Sequence, residues 1–226
     1  KITESDKFNN PAKIQYYTEI YGEQYTKALK QVNDNINKPL LNLFDVGKFS
    51  GLTEVLFMER CLRLLKKGGR MGVVLPEGVL NNANLQKVRD YFEGKAKILL
   101  VTSIPQDVFV SAKATVKPSL LFLKKFTESE ENEYKIANSE SETEVRAKYQ
   151  SQIKEIENSE SPKKNKNKKI KDIDIKIAEE IKSLTKSKFN YQIPIAEAKQ
   201  AGITTTGESC NNDLTAIAKE FGAYRK

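Results

Sequence analysis

One stretch of the chain, residues 64–80, constrains the fold more than any other. It reads Leu-Leu-Lys-Lys-Gly-Gly-Arg-Met-Gly-Val-Val-Leu-Pro-Glu-Gly-Val-Leu. Apolar residues recur at helical spacing from Leu52 to Leu65, and the two lysines and the glycine that follow are typical of a helix end. The apolar run Met71–Leu75 then predicts a buried strand that stops at a Pro-Glu-Gly loop. This order predicts an α/β chain, in which ligands bind at the carboxyl ends of the parallel strands.

The composition limits the class of protein. The chain has 226 residues, of which 38% are hydrophobic and 30% charged, enough for one large domain or for one domain with an appendage. Its net charge is +8 and its isoelectric point is near 9.2. The surplus of lysine has two interpretations: it favours an acidic partner, of which nucleic acid is the first choice, or it serves solubility alone.

The chain contains no histidine and two cysteines, Cys61 and Cys210. The lack of histidine excludes histidine-based acid–base catalysis, the serine–histidine–aspartate triad and most zinc sites, and no metal site is predicted. Two isolated cysteines do not form a disulfide framework and are typical of a reducing cytoplasm. No apolar run approaches the roughly 20 residues that span a bilayer. We therefore expect a cytoplasmic protein without a membrane segment.

Residues 85–125 predict the rest of the sheet. A helix is expected at Leu85–Phe92, a strand at Ile98–Ile104, and a further strand around Ser119–Phe122. No helical run separates these two strands, so we expect them to be neighbours in a hairpin-like arrangement. The predicted fold is therefore α/β, with a mixed sheet whose edge is antiparallel.

Residues 127–188 differ in character and are rich in charge. Apolar residues recur at helical spacing in two narrow stripes, Val145–Ile156 and Ile170–Leu184, which predict an appended helical hairpin. Between the stripes lies a run whose lysines would form a basic tip: Lys163, Lys164, Lys166, Lys168 and Lys169. We expect these lysines to contact DNA phosphate or a partner subunit. The alternative is a disordered charged linker.

Two short segments could carry chemistry. The turn Asp45-Val46-Gly47 follows an apolar run, as a nucleotide-binding loop does, but its few glycines fit an ordinary surface loop better. Phe109 is the stronger candidate, because it lies just after a predicted strand, where an aromatic ring could stack on an extruded base. The alternative for Phe109 is that its ring caps the hydrophobic core.

Several blocks of sequence occur in an order that is specific to one family. They are residues 54–80, Val88-Arg89-Asp90-Tyr91, Ser103-Ile104-Pro105 with Val108-Phe109, and Val116–Lys124, with looser similarity at Ala201-Gly202-Ile203, Gly207 and Asn212-Asp213-Leu214. In this order the chain resembles the modification (M) subunit of type I restriction-modification systems, a family of N6-adenine DNA methyltransferases. Pro118 departs from the family pattern, which usually has threonine there in a Val-Lys-Thr-Ser motif.

The resemblance implies the second half of a Rossmann-like methyltransferase fold. Residues 1–126 would form the carboxyl-terminal half of the methyltransferase domain, residues 127–188 the hairpin or insertion, and residues 189–226 a short segment after the catalytic domain. The family's glycine-rich S-adenosylmethionine loop and its Asn-Pro-Pro-Phe tetrapeptide precede these blocks and do not occur in the 226 residues. We therefore expect a carboxyl-terminal fragment that begins after the tetrapeptide and holds no catalytic or cofactor-binding residue.

For the full-length protein, the resemblance implies methyl transfer from S-adenosylmethionine to the exocyclic amine of an adenine extruded from DNA. It also implies two protein partners, a specificity (S) subunit and a restriction (R) subunit. Phe109 and Lys117 are the candidate substrate-binding residues in this chain, and the fragment alone is expected to be inactive. The rival interpretation is a non-enzymatic basic coiled-coil adaptor that carries a degenerate α/β domain.

Overall fold

The computed structural model describes residues 1–110, 113–159 and 162–224. Within these ranges, the helices are α1 (Pro11–Tyr21), α2 (Glu23–Asn33), α3 (Thr53–Leu64), α4 (Glu77–Asn81), α5 (Gln86–Glu93), α6 (Glu128–Asn158), α7 (Lys163–Lys188) and α8 (Asp213–Tyr224). The strands are β1 (Arg70–Pro76), β2 (Ala96–Ser103), β3 (Pro118–Lys125), β4 (Ile195–Glu197), β5 (Ala201–Ile203) and β6 (Ser209–Asn212). The α/β fold class predicted from the sequence is confirmed.

The first four strands form one mixed sheet in the order β1–β3–β2–β4. Strand β3 runs antiparallel to both of its neighbours, with Leu121 opposite Val73 on one side and opposite Val101 on the other, while β4 runs parallel to β2. The predicted pairing of β2 with β3 is confirmed. The predicted antiparallel edge is confirmed as well: the edge strand β1 pairs antiparallel with β3, which lies inside the sheet. After β1, the chain passes through α5 to β2, which is not adjacent to β1 in the sheet. Strand β3 then lies between β1 and β2.

One face of the sheet packs against α3 and α5. The buried side chains of this core include Val55, Met58, Leu75, Val88, Phe92, Leu121 and Leu123. Strand β1 differs from the fully buried strand that its apolar sequence predicts. Leu75 is buried, but Val74 on the opposite face is 50% exposed. Strand β1 is an edge strand of the sheet. Helices α3 and α5 cover only the face that carries Leu75, so the face that carries Val74 stays exposed.

Helices α6 and α7 form the predicted hairpin, so Glu128–Asn158 and Lys163–Lys188 are helical rather than a disordered linker. Its buried residues are Val145, Ile173 and Ile177, with Tyr149, Ile153, Ile156, Ile181 and Leu184 packed around them. At the root of the hairpin, the Tyr134 ring contacts the rings of Phe126 and Phe189, with centroids 5.6 and 5.5 Å apart. These rings attach the first turns of α6 and the last turn of α7 to the end of β3.

Shorter segments flank this body. Asn10 caps α1 by accepting a hydrogen bond from the Lys13 amide at 3.1 Å, and Pro11 occupies the first helical position. After β4, the antiparallel hairpin of β5 and β6 leads into α8. The Asp213 carboxylate at the start of α8 accepts the amide N–H groups of Lys199 and Gln200, both at 2.9 Å. The division into three parts at residues 126 and 188 stays a prediction.

Candidate functional site

The carboxyl ends of β1 and β2 lie at the same edge of the sheet. Pro76 at the end of β1 pairs with Pro118, and Ser103 at the end of β2 pairs with Ser119, so the first residues of β3 lie between them. Carboxyl ends of parallel strands are where ligands bind in open α/β sheets. We call this region the site edge, defined by Glu77, Gln106–Phe109 and Lys117.

Glu77 and Lys117 join the two sides of the site edge. The Glu77 amide donates a hydrogen bond to the Lys117 carbonyl at 2.9 Å, and the Lys117 Nζ lies 3.4 Å from Glu77 Oε2. The predicted Pro-Glu-Gly loop is instead the start of the short helix α4. The sequence does not predict Glu77 as the partner of Lys117. The pairing of Pro76 with Pro118 brings them together, and that register is visible only in the folded sheet.

Phe109 ends a short 3-10 turn, Gln106–Phe109, that follows β2. Its carbonyl accepts a hydrogen bond from the Ala114 amide at 3.0 Å, and the side-chain amide of Gln106 donates to the carbonyl of Thr115. The Phe109 residue is half-buried, which fits both a stacking role and a core-capping role. Its predicted place at a strand end is confirmed, while its role as a substrate-binding residue stays a prediction. Residues 111 and 112 lie outside the described ranges.

The five lysines of the predicted basic tip do not belong to the site edge. They occupy the first two turns of α7, at the far end of the hairpin. The hairpin leaves the body at the opposite edge of the sheet, where Lys124 near the end of β3 pairs with Arg70 and Lys97. The structure thus brings Phe109 and Lys117 to one edge and carries the lysines on a separate arm.

The side chain of Glu59, on α3, binds the backbone of the turn Asp45-Val46-Gly47, which resembles a nucleotide-binding loop. Its side chain is fully buried, and its two carboxylate oxygens accept the amide N–H groups of Asp45 at 3.0 Å and Val46 at 2.8 Å. Arg63 completes the cluster as an ion-pair partner of Glu59. The amides that a phosphate would need are therefore already bonded, which supports the ordinary-loop interpretation. The signal in the sequence is a carboxylate on the apolar stripe of α3.

Two groups with large shifts in acidity, Tyr91 and Glu130, lie outside the site edge. Burial, together with the carboxylates of Glu59 and Asp45, raises the pKa of the Tyr91 phenol, which donates a hydrogen bond to Asp45 at 3.0 Å. Burial also acts to raise the pKa of Glu130, but Lys124 at 2.7 Å, the Thr127 amide and Lys97 at 2.9 Å outweigh it. They lower that pKa from 4.5 to about 2. Glu130 therefore joins β2 and β3 to the start of α6.

Two adjoining cavities lie away from the site edge, between the hairpin root and the body. The larger, of about 530 Å³, is lined by α5, α6, α7 and the segment after α7, including Asp90, Tyr134, Lys182, Phe189 and Tyr191. The smaller, of about 370 Å³, reaches the sheet face beneath α5. Within the described residues, no cluster of three or more cysteine, aspartate or glutamate side chains could hold a metal ion. Across the same residues, no helix is long and apolar enough to cross a membrane.

Comparison with known proteins identifies the family. Among solved structures, the chain is similar to a proposed class I S-adenosylmethionine-dependent methyltransferase from Listeria monocytogenes, at 22% sequence identity and a TM-score of 0.35. That similarity covers 39% of this chain and 27% of the other, so this chain spans about a quarter of that protein. No curated protein matches the sequence. The family model of the N-6 DNA methylases matches residues 21–201, which is more than half of the sequence. The chain therefore belongs to the N-6 DNA methylase family.

Proposed function

We propose that this chain is part of a site-specific DNA adenine-N6 methyltransferase, the modification subunit of a type I restriction-modification system. The observation that carries the proposal is the family match over residues 21–201. The ordered blocks at residues 54–80, 88–91 and 116–124 support the type I assignment. In this proposal, a cytoplasmic enzyme transfers a methyl group from S-adenosylmethionine to the exocyclic amine of adenine in DNA. A specificity subunit and a restriction subunit are its protein partners.

The turn Asp45-Val46-Gly47 does not fit a site for S-adenosylmethionine. Such a site needs a glycine-rich turn whose backbone amides are free, whereas the amides of Asp45 and Val46 are bonded to Glu59. A Cβ at Gly47 would also lie 2.2 Å from the Leu41 carbonyl oxygen, so that turn is tightly packed. The proposal therefore assigns cofactor binding and amine recognition to a segment outside these 226 residues. No catalytic step is assigned to this chain.

The contribution we propose for this chain is binding of the extruded adenine at the site edge. An adenine that leaves the duplex loses its stacking partners, and an aromatic ring beside it replaces part of that energy. Phe109 is the residue proposed to stack on the base, and Lys117 to bind the adjacent backbone phosphate. Methylation of an exocyclic amine in this way needs no base that titrates near neutral pH, which agrees with a chain that has no histidine.

The proposed activity is tested in cells. The full gene is expressed with its specificity partner in a host that has no adenine methylation, and genomic DNA is sequenced by a method that detects N6-methyladenine. We expect N6-methyladenine at one defined sequence motif. Genomic DNA without it, from cells that contain both soluble subunits, would contradict the proposal.

Two further measurements examine the roles within the enzyme. Phe109→Ala should lower kcat/KM for DNA roughly tenfold or more, since base–aromatic stacking contributes about 1–3 kcal/mol, while Phe109→Tyr should retain most of the activity. An equal loss in both variants would favour the core-capping role. Calorimetry of the 226-residue chain with S-adenosylmethionine should show no binding, and micromolar affinity would contradict the placement of the cofactor site elsewhere.

A further inference from the structure

The lysines at the tip of the hairpin differ from those near its root. Lys163, Lys164, Lys168 and Lys169 are exposed, and Lys166 donates a hydrogen bond to the backbone carbonyl of Glu157 at 2.7 Å. Within the described residues, none of these five has a carboxylate partner. Toward the root, several basic residues are paired: Lys148 with Glu180, Lys182 with Asp90, Lys186 with Glu93, and Lys188 with Glu140 and Glu144. The tip therefore concentrates five lysines for which the described residues provide no carboxylate partner.

The hairpin holds this charge at a fixed distance from the body. Its apolar contacts continue from Ile177 and Val145 out to Ile153 and Ile156, close to the tip. From Tyr134 at the root to Asn158, α6 rises about 36 Å at 1.5 Å per residue. The five lysines are thus presented at the end of a packed arm and not on a loose loop.

Helix α7 aligns the arm with the body. Lys182 pairs with Asp90 and Lys186 pairs with Glu93. Residue numbers therefore rise together on the two helices, so α7 runs parallel to α5 where they are in contact. Helix α5 runs from the side of the sheet where β1 ends back to the side where β2 begins. Moving along α7 toward Lys163 therefore leads toward the side of the site edge. The tip lies about 28 Å from Lys182 in that direction.

The chemistry of the tip favours the phosphate backbone of duplex DNA. Lysine binds phosphate as a point charge and without base preference, and the two asparagines of the run, Asn165 and Asn167, are further donors to phosphate oxygens. Residues 150–188 contain no aromatic residue, so the tip has no ring on which unpaired bases could stack. From this charge, exposure and direction, we propose that the hairpin tip binds backbone phosphates of the duplex that flanks the base held at the site edge. The proposal rests on the proposed function, which makes DNA the substrate.

The test uses the 226-residue chain and a short fluorescent DNA duplex, with binding followed by anisotropy over a range of KCl concentrations. In the tip variant, the five lysines are changed to glutamine, which keeps helix propensity. In the matched control, five exposed lysines elsewhere, Lys7, Lys13, Lys30, Lys66 and Lys219, are changed to glutamine, so the net charge is the same. A third variant changes the tip lysines to arginine. Circular dichroism confirms that all variants retain the helical content of the wild type.

We expect the tip variant to bind the duplex at least about tenfold more weakly at low salt, with the slope of log K against log [KCl] shallower by about 4. The control and the arginine variant should stay near the wild-type slope. An unchanged slope in the tip variant, or no binding of duplex by the wild type, would overturn the proposal and leave a protein partner as the occupant. Neither result bears on methylation, because the cellular assay for N6-methyladenine tests the proposed function separately.

Discussion

Glu77 and Lys117 are 40 residues apart in sequence but bind each other twice, once through the backbone and once through their side chains. The amide of Glu77 donates to the carbonyl of Lys117 at 2.9 Å, and the ammonium of Lys117 lies 3.4 Å from the Glu77 carboxylate. The backbone hydrogen bond sets the end of β1 against the start of β3. The ion pair between the side chains, in contrast, is partly exposed.

The side-chain pair should contribute little to stability, because exposed ion pairs gain little over hydration. In a double-mutant cycle of Glu77→Ala and Lys117→Ala, measured by urea unfolding, we expect a coupling energy below about 1 kcal/mol. The backbone hydrogen bond persists in all three variants, which keeps the site edge folded. A coupling energy well above this value would mean that the side chains, and not the backbone, hold the two strand ends together.

Glu59 should be far more important for stability than its single charge suggests. Changing Glu59 to alanine leaves the amides of Asp45 and Val46 without acceptors and Arg63 without its buried partner. We expect a loss of about 3–5 kcal/mol in the free energy of unfolding, the usual cost of breaking a buried charged network. Urea unfolding monitored by circular dichroism measures it.

The control for Glu59 is Arg60→Ala on the neighbouring, exposed position of the same helix. This variant should change the free energy of unfolding by no more than about 0.5 kcal/mol. If Glu59→Ala were equally mild, the buried network would not be what holds the Asp45 turn in place.

Glu130 should make the stability depend on acid pH. Its pKa is lowered to about 2 in the folded chain from an ordinary value of 4.5, so the folded state favours the ionised carboxylate. The stabilisation is then fully present above pH 4.5 and is lost as the pH falls toward 2. Because 2.5 pKa units correspond to about 3 kcal/mol, we expect Glu130→Gln to be less stable than wild type at pH 6 by up to that amount.

Urea midpoints measured at several pH values between 2 and 6 compare the two proteins, and the gap between them should close as the pH falls. Glu128→Gln, at an exposed position in the same first turn of α6, is the control and should show no such closing gap. A gap that stays constant with pH would assign the effect of Glu130 to the capping box alone.

The hairpin offers a matched pair of isoleucines on one helix. Ile177 is 3% exposed in the hairpin core, whereas Ile175 is 51% exposed. Ile177→Ala should destabilise the hairpin by about 2–5 kcal/mol, since it leaves a cavity, while Ile175→Ala should be nearly neutral because alanine has the higher helix propensity. Thermal unfolding followed at 222 nm measures both. Equal midpoints for the two variants would contradict the observed packing of α6 against α7.

The sequence predicted the elements of the fold better than their arrangement. The helix before β1, the strands β1, β2 and β3, and both helices of the hairpin follow from local apolar periodicity, which depends on neighbouring residues. The order of strands does not, because the chain gives no local sign that β3 enters between β1 and β2. The predicted full burial of β1 is wrong for the same reason. An apolar sequence such as Met71–Leu75 is the same whether the strand lies in the middle or at the edge of a sheet.

The candidate site was predicted in part. Phe109 was found because a residue just after a strand has a predictable place, and Lys117 because a family pattern includes it. Glu77 and Glu59 could not be assigned, since their partners lie 40 and 13 residues away and meet them only after folding. The sequence contains one local sign of the role of Glu59: this carboxylate occupies a position on the apolar face of α3.

The cavity of about 530 Å³ at the hairpin root has a mechanical consequence. Along the arm, isoleucines pack between the two helices, whereas at its base rings and ion pairs surround this space. The arm is long compared with its base, so its geometry is that of a lever. For an arm of about 36 Å, a rotation of roughly 5° at the root displaces the far end by about 3 Å. Small changes in the packing around Tyr134 and Phe189 are therefore magnified at the lysines.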